Sequence, residues 1–143
     1  MTTGMTIPLW VLLGFAMWTL VVLFATVGVY RWSRILMRRT PIGEWRADAI
    51  QGSDWYRRAM RAHANCLENL PVYGVLVVVM VAAGIQDARL DVLAVTLLGA
   101  RVLHTLVHVA VPQTNAVAAV RFALYLAQVL CMFAMAAVIA TIA

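Results

Sequence analysis

The sequence predicts an all-α membrane protein, a four-transmembrane-helix bundle forming a single domain over residues 1–143. Three observations carry this. The chain is 64% hydrophobic and only 12% charged, with a mean hydropathy of +0.90; soluble domains are about 45–50% apolar and about 25% charged. A soluble fold of this length has too little interior to hide so much apolar surface. Acidic and basic residues are absent from four runs, 1–30, 69–86, 102–120 and 122–143, and about 20 helical residues cross a bilayer core of about 30 Å.

The runs place helices at about 7–30, 67–85, 90–111 and 117–142. The first lacks a basic leader and is followed directly by arginines, which predicts a stop-transfer helix retained in the protein, not a cleaved signal. Trp10 and Trp32 flank it where an aromatic belt belongs. The first connection holds Pro41, Gly43 and Gly52 and is expected to be irregular. Ser53 or Asp54 then caps a helix that projects about three turns from the membrane before entering it. Pro71 falls inside that helix and predicts a kink or a local break in its hydrogen bonding. Pro112 and Asn115 mark a short final turn.

All 11 basic residues are arginine, and eight of them lie between positions 31 and 61. The positive-inside rule places this segment in the cytoplasm and both termini outside. Topology and anionic headgroups account for the net charge of +5, so the expected partner is the lipid bilayer and not nucleic acid. Cys66 and Cys131 match no metal or redox spacing and read as small buried residues.

A charge deep in a membrane costs roughly 2.5–3.5 kcal/mol and so tends to have a partner or a task. Helical spacing sorts the polar residues here onto single faces. On helix 2, Arg61, Asn65 and Glu68 fall at i, i+4 and i+7; on helix 3, Arg101, His104 and His108 fall at i, i+3 and i+7; on helix 4, Arg121, Tyr125 and Gln128 repeat the first pattern. All three stripes sit toward the cytoplasmic end and are expected to line one polar cavity. Each has a structural reading as well. Arg61 with Glu68 reads as an ion pair, Arg121 as a headgroup anchor, the histidines as interhelical hydrogen bonders, and Arg101 as an internal clamp. No carboxylate or cysteine accompanies the histidines at metal-ligand spacing, so no metal is expected.

A cavity with several arginines and one glutamate suits an anion that also carries an amino group. Arginines hold carboxylates as a bidentate fork, Glu68 would hold an ammonium, and Asn65 an amide. Glutathione has all of these groups, and an arginine near its thiol would favour the reactive thiolate.

The segment from Arg61 through Asn65 and Glu68 to Pro71 resembles the helix 2 motif of the MAPEG family, the membrane-associated proteins in eicosanoid and glutathione metabolism. That family holds the microsomal glutathione transferases, leukotriene synthase and microsomal prostaglandin E synthase. The segment from Arg101 through His104 to His108 is similar to helix 3 of the prostaglandin synthase, with His108 where that enzyme has Tyr. The segment from Arg121 to Tyr125 is similar to the opening of its helix 4. The likeness covers essentially the whole chain, though the turn between helices 3 and 4 is a few residues longer.

The resemblance implies a homotrimer with glutathione as co-substrate, bound between subunits on the cytoplasmic side. Arg61, Asn65, Glu68, His104, His108 and Tyr125 would bind it, with Arg34 as a looser match. Arg121 would be the catalytic arginine that stabilises the thiolate. The implied activity is a glutathione-dependent transferase or peroxidase acting on a lipophilic small-molecule substrate that arrives through the bilayer. Two other readings stay open: a non-enzymatic lipid-binding protein of the same fold, and a small transporter or channel subunit with a proton-linked histidine pair.

Overall fold

The protein is described by a computed structural model covering residues 4–46 and 50–143. Its fold is four long helices with short connections: α1 Ile7–Leu36, α2 Asp54–Ala82, α3 Ala88–Ala110 and α4 Asn115–Ile142. All four are long and apolar enough to span a bilayer. This is a multi-pass integral membrane bundle. The helices α2 and α3 form its middle; α1 packs against both, and α4 packs mainly on α3 and also on α2.

The central core is made by Phe15, Tyr73, Val77, Leu90, Ala94, Leu97, Met135 and Ile139, one stripe from each helix. Only 28–33% of each spanning window is buried within the chain. The apolar remainder, including Leu13, Met17, Val75, Val78 and Phe133, faces outward, as expected for a surface whose solvent is lipid or another subunit. Trp10 and Trp32 are both outward-facing. Their 22-residue separation spans about 33 Å of helix at about 1.5 Å per residue, close to a bilayer core.

Helix ends differ from expectation for identifiable reasons. Helix α1 runs to Leu36, six residues beyond the predicted end at Tyr30. The arginines at 31 and 34 end the membrane-compatible stretch but not the helix. It closes with Arg38 at φ 55°, while Arg39 N–H donates to the Arg34 carbonyl and Arg38 N–H to Ile35. That is a Schellman-type stop made without glycine. Helix α2 begins after Ser53, whose hydroxyl accepts from Tyr56 N–H. It stops at Gly84 (φ 66°), where Ile85 N–H donates to Met80 and Gly84 N–H to Val81, three residues short of the predicted end. The helix continues through Pro71 without interruption; proline lacks the N–H that would bond to the Leu67 carbonyl.

The irregularity lies instead in α1. Residues Leu23–Gly28 form a π-helical turn, inside which the Thr26 hydroxyl bonds to the Val22 carbonyl. A Cβ at position 28 would stand 3.3 Å from the Leu23 carbonyl, so glycine admits the wide turn there. Asp87 and Thr114 cap α3 and α4 with their side chains.

Candidate active site

The polar stripes of α2, α3 and α4 converge. A cavity of about 280 Å³ is lined by Asn65 and Glu68 from α2, His104 and His108 from α3, and Arg121, Phe122 and Tyr125 from α4. Six of the eight residues singled out from sequence therefore meet at one place. Arg61 is exposed on α2, one turn from Asn65, and does not line the cavity. Arg34 lies apart as well. Its guanidinium sits over the Tyr30 ring at 5.2 Å, and it lines a separate recess with Tyr30, Thr40, Glu44, Trp45, Gln51 and Gly52.

Arg121 is 6% exposed, and its guanidinium bonds to His108 Nδ1 at 2.9 Å. His108 Nε2 lies 3.4 Å from the Asn65 side-chain amide. A polar chain thus crosses from α4 through α3 to α2. The connection from Val111 to Thr114 is what brings position 121 back alongside position 108. Arg121 is directed inward and does not snorkel away along the helix.

Arg101 is fully buried and bonds to His104 Nδ1 at 3.2 Å. Its guanidinium also stacks over Phe15 at 5.7 Å, a cation–π contact. The His104 and His108 rings meet edge to face at 4.9 Å, and His104 lies 6.2 Å from the Tyr125 ring. Among the described residues no group of three His, Cys, Asp or Glu side chains is placed to hold a metal ion.

Glu68 is exposed to the cavity and, among the described residues, has no ion-pair partner. The ion pair with Arg61, the alternative structural reading of these two residues, is not seen. Among the described residues, ion pairs join Arg58 to Asp54 at 3.0 Å and Arg89 to Asp87 at 2.8 Å. The cavity therefore presents several hydrogen-bond donors and one free carboxylate.

Gln128, the last member of the α4 stripe, points away from the cavity. It is fully buried, accepts from Asn69 at 3.3 Å and donates to the Leu124 carbonyl at 2.8 Å. It ties α2 to α4 beneath the cavity. Cys66 and Cys131 are buried free thiols.

Sequence reading missed an apolar groove of about 500 Å³ between α2 and α4. It is lined by Val72, Leu76, Val129, Met132, Phe133 and Ala136 together with Glu68, Asn69 and Tyr125. Glu68 and Tyr125 line both spaces, so the groove opens onto the polar cavity. The signal was present: 68, 72 and 76 on α2 and 125, 129 and 133 on α4 recur at i+4, one face of each helix.

A model of the MAPEG family matches residues 7–141 of the chain. No curated protein matches it, and no solved structure does.

Proposed function

The chain belongs to the MAPEG family, and on that premise we propose that it is a glutathione-dependent membrane transferase or peroxidase. The observation that carries this reading is the convergence of a free carboxylate, Glu68, with the donors Asn65, His104, Arg121 and Tyr125 around a cavity that opens into an apolar groove. Glutathione supplies the matching groups. Its ammonium pairs with Glu68, its carboxylates and amides with the donors, and a lipophilic co-substrate lies in the groove within reach of the thiol. His108 holds Arg121 and Asn65 in place, and Arg61 adds positive charge at the rim.

Arg121 is the proposed catalytic residue. A cation close to sulfur in a low-dielectric site stabilises the thiolate far more than it would in water. The thiol proton leaves to solvent. The thiolate then attacks the electrophilic carbon and forms a thioether, while either a leaving group departs as an anion with the pair of the bond broken, or, at an activated double bond, the π pair moves to the neighbouring atom and takes a proton from solvent. With a hydroperoxide, two glutathiones are oxidised to the disulfide while the hydroperoxide gives an alcohol and water.

We assign a homotrimer with glutathione between subunits, the 31–61 segment in the cytoplasm and both termini outside. In this assembly Arg34 reaches a glutathione molecule only from a neighbouring copy, because within one chain it lies over Tyr30.

The test is titration of the purified protein with glutathione while thiolate absorbance is followed, then turnover of a generic electrophile. A thiolate signal at neutral pH with turnover is the expected result. Binding without thiolate or turnover turns the reading toward a lipid-binding protein, and no binding at all overturns it.

A further inference from the structure

Arginine side chains only donate hydrogen bonds; they never accept them and do not lose their charge in proteins. Each of the two cavity histidines faces such a donor through Nδ1: His104 faces Arg101 at 3.2 Å and His108 faces Arg121 at 2.9 Å. A guanidinium N–H can bond there only if Nδ1 carries a free lone pair. The single ring proton of each neutral imidazole must then sit on Nε2. An imidazolium, or the Nδ1–H tautomer, would set two donors against each other.

The burial of Arg101 strengthens the case. Its Nε and one NH2 group have no hydrogen-bond partner among the described residues, so His104 Nδ1 is the acceptor its guanidinium has. Protonating that nitrogen would take from a fully buried cation its one ring-nitrogen acceptor and leave only the weakly accepting Cys66 sulfur beside it, and an unmade bond to a buried charge is more costly than the net worth of a made one.

The Asn65 amide follows from the same logic. As placed, its Nδ2 stands 3.4 Å from His108 Nε2, which would leave His108 facing a donor at both ring nitrogens with no ring proton of its own. With a proton on Nε2, the amide must present its oxygen there, which leaves its NH2 for the cavity it lines. Oxygen and nitrogen exchange places by a half-turn of the amide, and the hydrogen-bond network decides between them.

We propose that Arg101 and Arg121 lock His104 and His108 as Nε2–H tautomers, which makes the inner wall of the cavity a set of donors for a bound anion. One arm runs from Arg101 through His104; the other runs from Arg121 through His108 to the Asn65 NH2. Arg101, which does not line the cavity, is a positioning residue acting through His104. Neither histidine has a free lone pair for a proton, so neither serves as a general base. The tautomer lock belongs to the ligand-free protein and stands whether or not glutathione is the ligand.

The test is nitrogen-15 NMR on histidine-labelled protein in lipid vesicles, with no ligand added. The chain has three histidines, and His63→Gln identifies the remaining two. Both are expected to show a protonated Nε2 and a bare Nδ1 at neutral pH. An Nδ1–H pattern, an imidazolium pattern or an averaged mixture for both rings overturns the proposal, and the unmutated protein is enough to reveal any of these.

Variants then test each arm. Arg101→Met is expected to release His104 into a mixture of tautomers and leave His108 unchanged; Arg121→Gln should do the reverse. A His104 signal that ignores Arg101→Met removes Arg101 from its positioning role. Asn65→Asp keeps an acceptor facing His108 Nε2–H, so the His108 pattern should persist. A changed pattern means that Asn65 was the donor and overturns that arm.

Discussion

Arg121 and Arg34 both lie beside a ring, in two separate recesses of the molecule. The ring beside Arg121 is an imidazole, whose lone pair takes one N–H at 2.9 Å and directs the guanidinium. The ring beside Arg34 is Tyr30, met face-on at 5.2 Å. Tyr30 itself stacks on Tyr56 at 4.4 Å, with Trp45 edge-on to both. Arg31 donates to the Tyr56 hydroxyl at 2.7 Å and lies over Trp45.

In the second region each cation is held by π faces and a phenol, and the cluster ties the first loop to α1 and α2. In the first region the cations meet ring nitrogens, and Arg121 shares its cavity with a free carboxylate. The difference teaches that an arginine's role here is decided by its partner. At Arg121 a directional acceptor leaves the rest of the fork free at the cavity, while at Arg34 an aromatic face holds the cation away from that cavity within the same chain.

The largest effect expected from this contrast is at Arg121. Arg121→Ala should lower turnover about a hundredfold, the order seen when one preorganised donor is removed from an anionic transition state, and glutathione affinity much less. Its apparent thiol pKa should rise, with partial rescue of rate at alkaline pH, since one unit of thiol pKa is about tenfold in thiolate. Arg34→Ala should leave that pKa unchanged. Steady-state rates against pH measure both, and equal pKa shifts in the two variants would erase the contrast.

Glu68→Gln comes next. It should weaken glutathione binding by about 1–3 kcal/mol, the range for hydrogen bonds to charged groups, without loss of folding, because the carboxylate has no ion-pair partner within the described chain. Calorimetric titration reads the affinity and thermal unfolding in detergent reads the fold. Loss of the fold would make Glu68 structural.

Tyr56→Phe tests the anchor region. It removes the hydroxyl that accepts from Arg31 and should cost about 1 kcal/mol of stability while glutathione affinity stays as it was. A loss of affinity would join the two regions into one site.

The smallest effect belongs to Asp87, at the far connection. The Arg89 side chain holds its carboxyl below the usual carboxylate range. Its contribution is therefore present above that range and lost as pH falls through the lowered value. Asp87→Asn keeps a good helix cap and should leave unfolding at neutral pH almost unchanged, with a slightly flatter acid profile. Thermal scans across acidic pH check this.

Much of this was legible in the chain. The Arg61, Arg101 and Arg121 stripes were visible as i, i+3/i+4 and i+7 patterns, because helical periodicity is local. Gln128 fitted its stripe equally well yet turned inward to Asn69, since one helix face is wider than one cavity. The extension of α1 to Leu36 was hidden because charge marks the edge of lipid and not the end of a helix. The π-turn at Leu23–Gly28 was hidden because Gly28 permits it without requiring it.

By itself, then, the sequence determined the solvent of this protein, the number of its spans and which faces carry polar groups. Those follow from composition and from a period of 3.6 residues, both properties of short stretches. Only the tertiary structure decided that Arg121 would meet His108, that Arg101 would bury itself against His104, that Glu68 would line the cavity without an ion-pair partner among the described residues and that Arg34 would lie over Tyr30. With most of every helix surface apolar, many rotations and pairings hide hydrophobic area about equally well. Which polar atoms meet across helices is settled by the packing of whole helices against one another, and no single stretch of the chain contains that information.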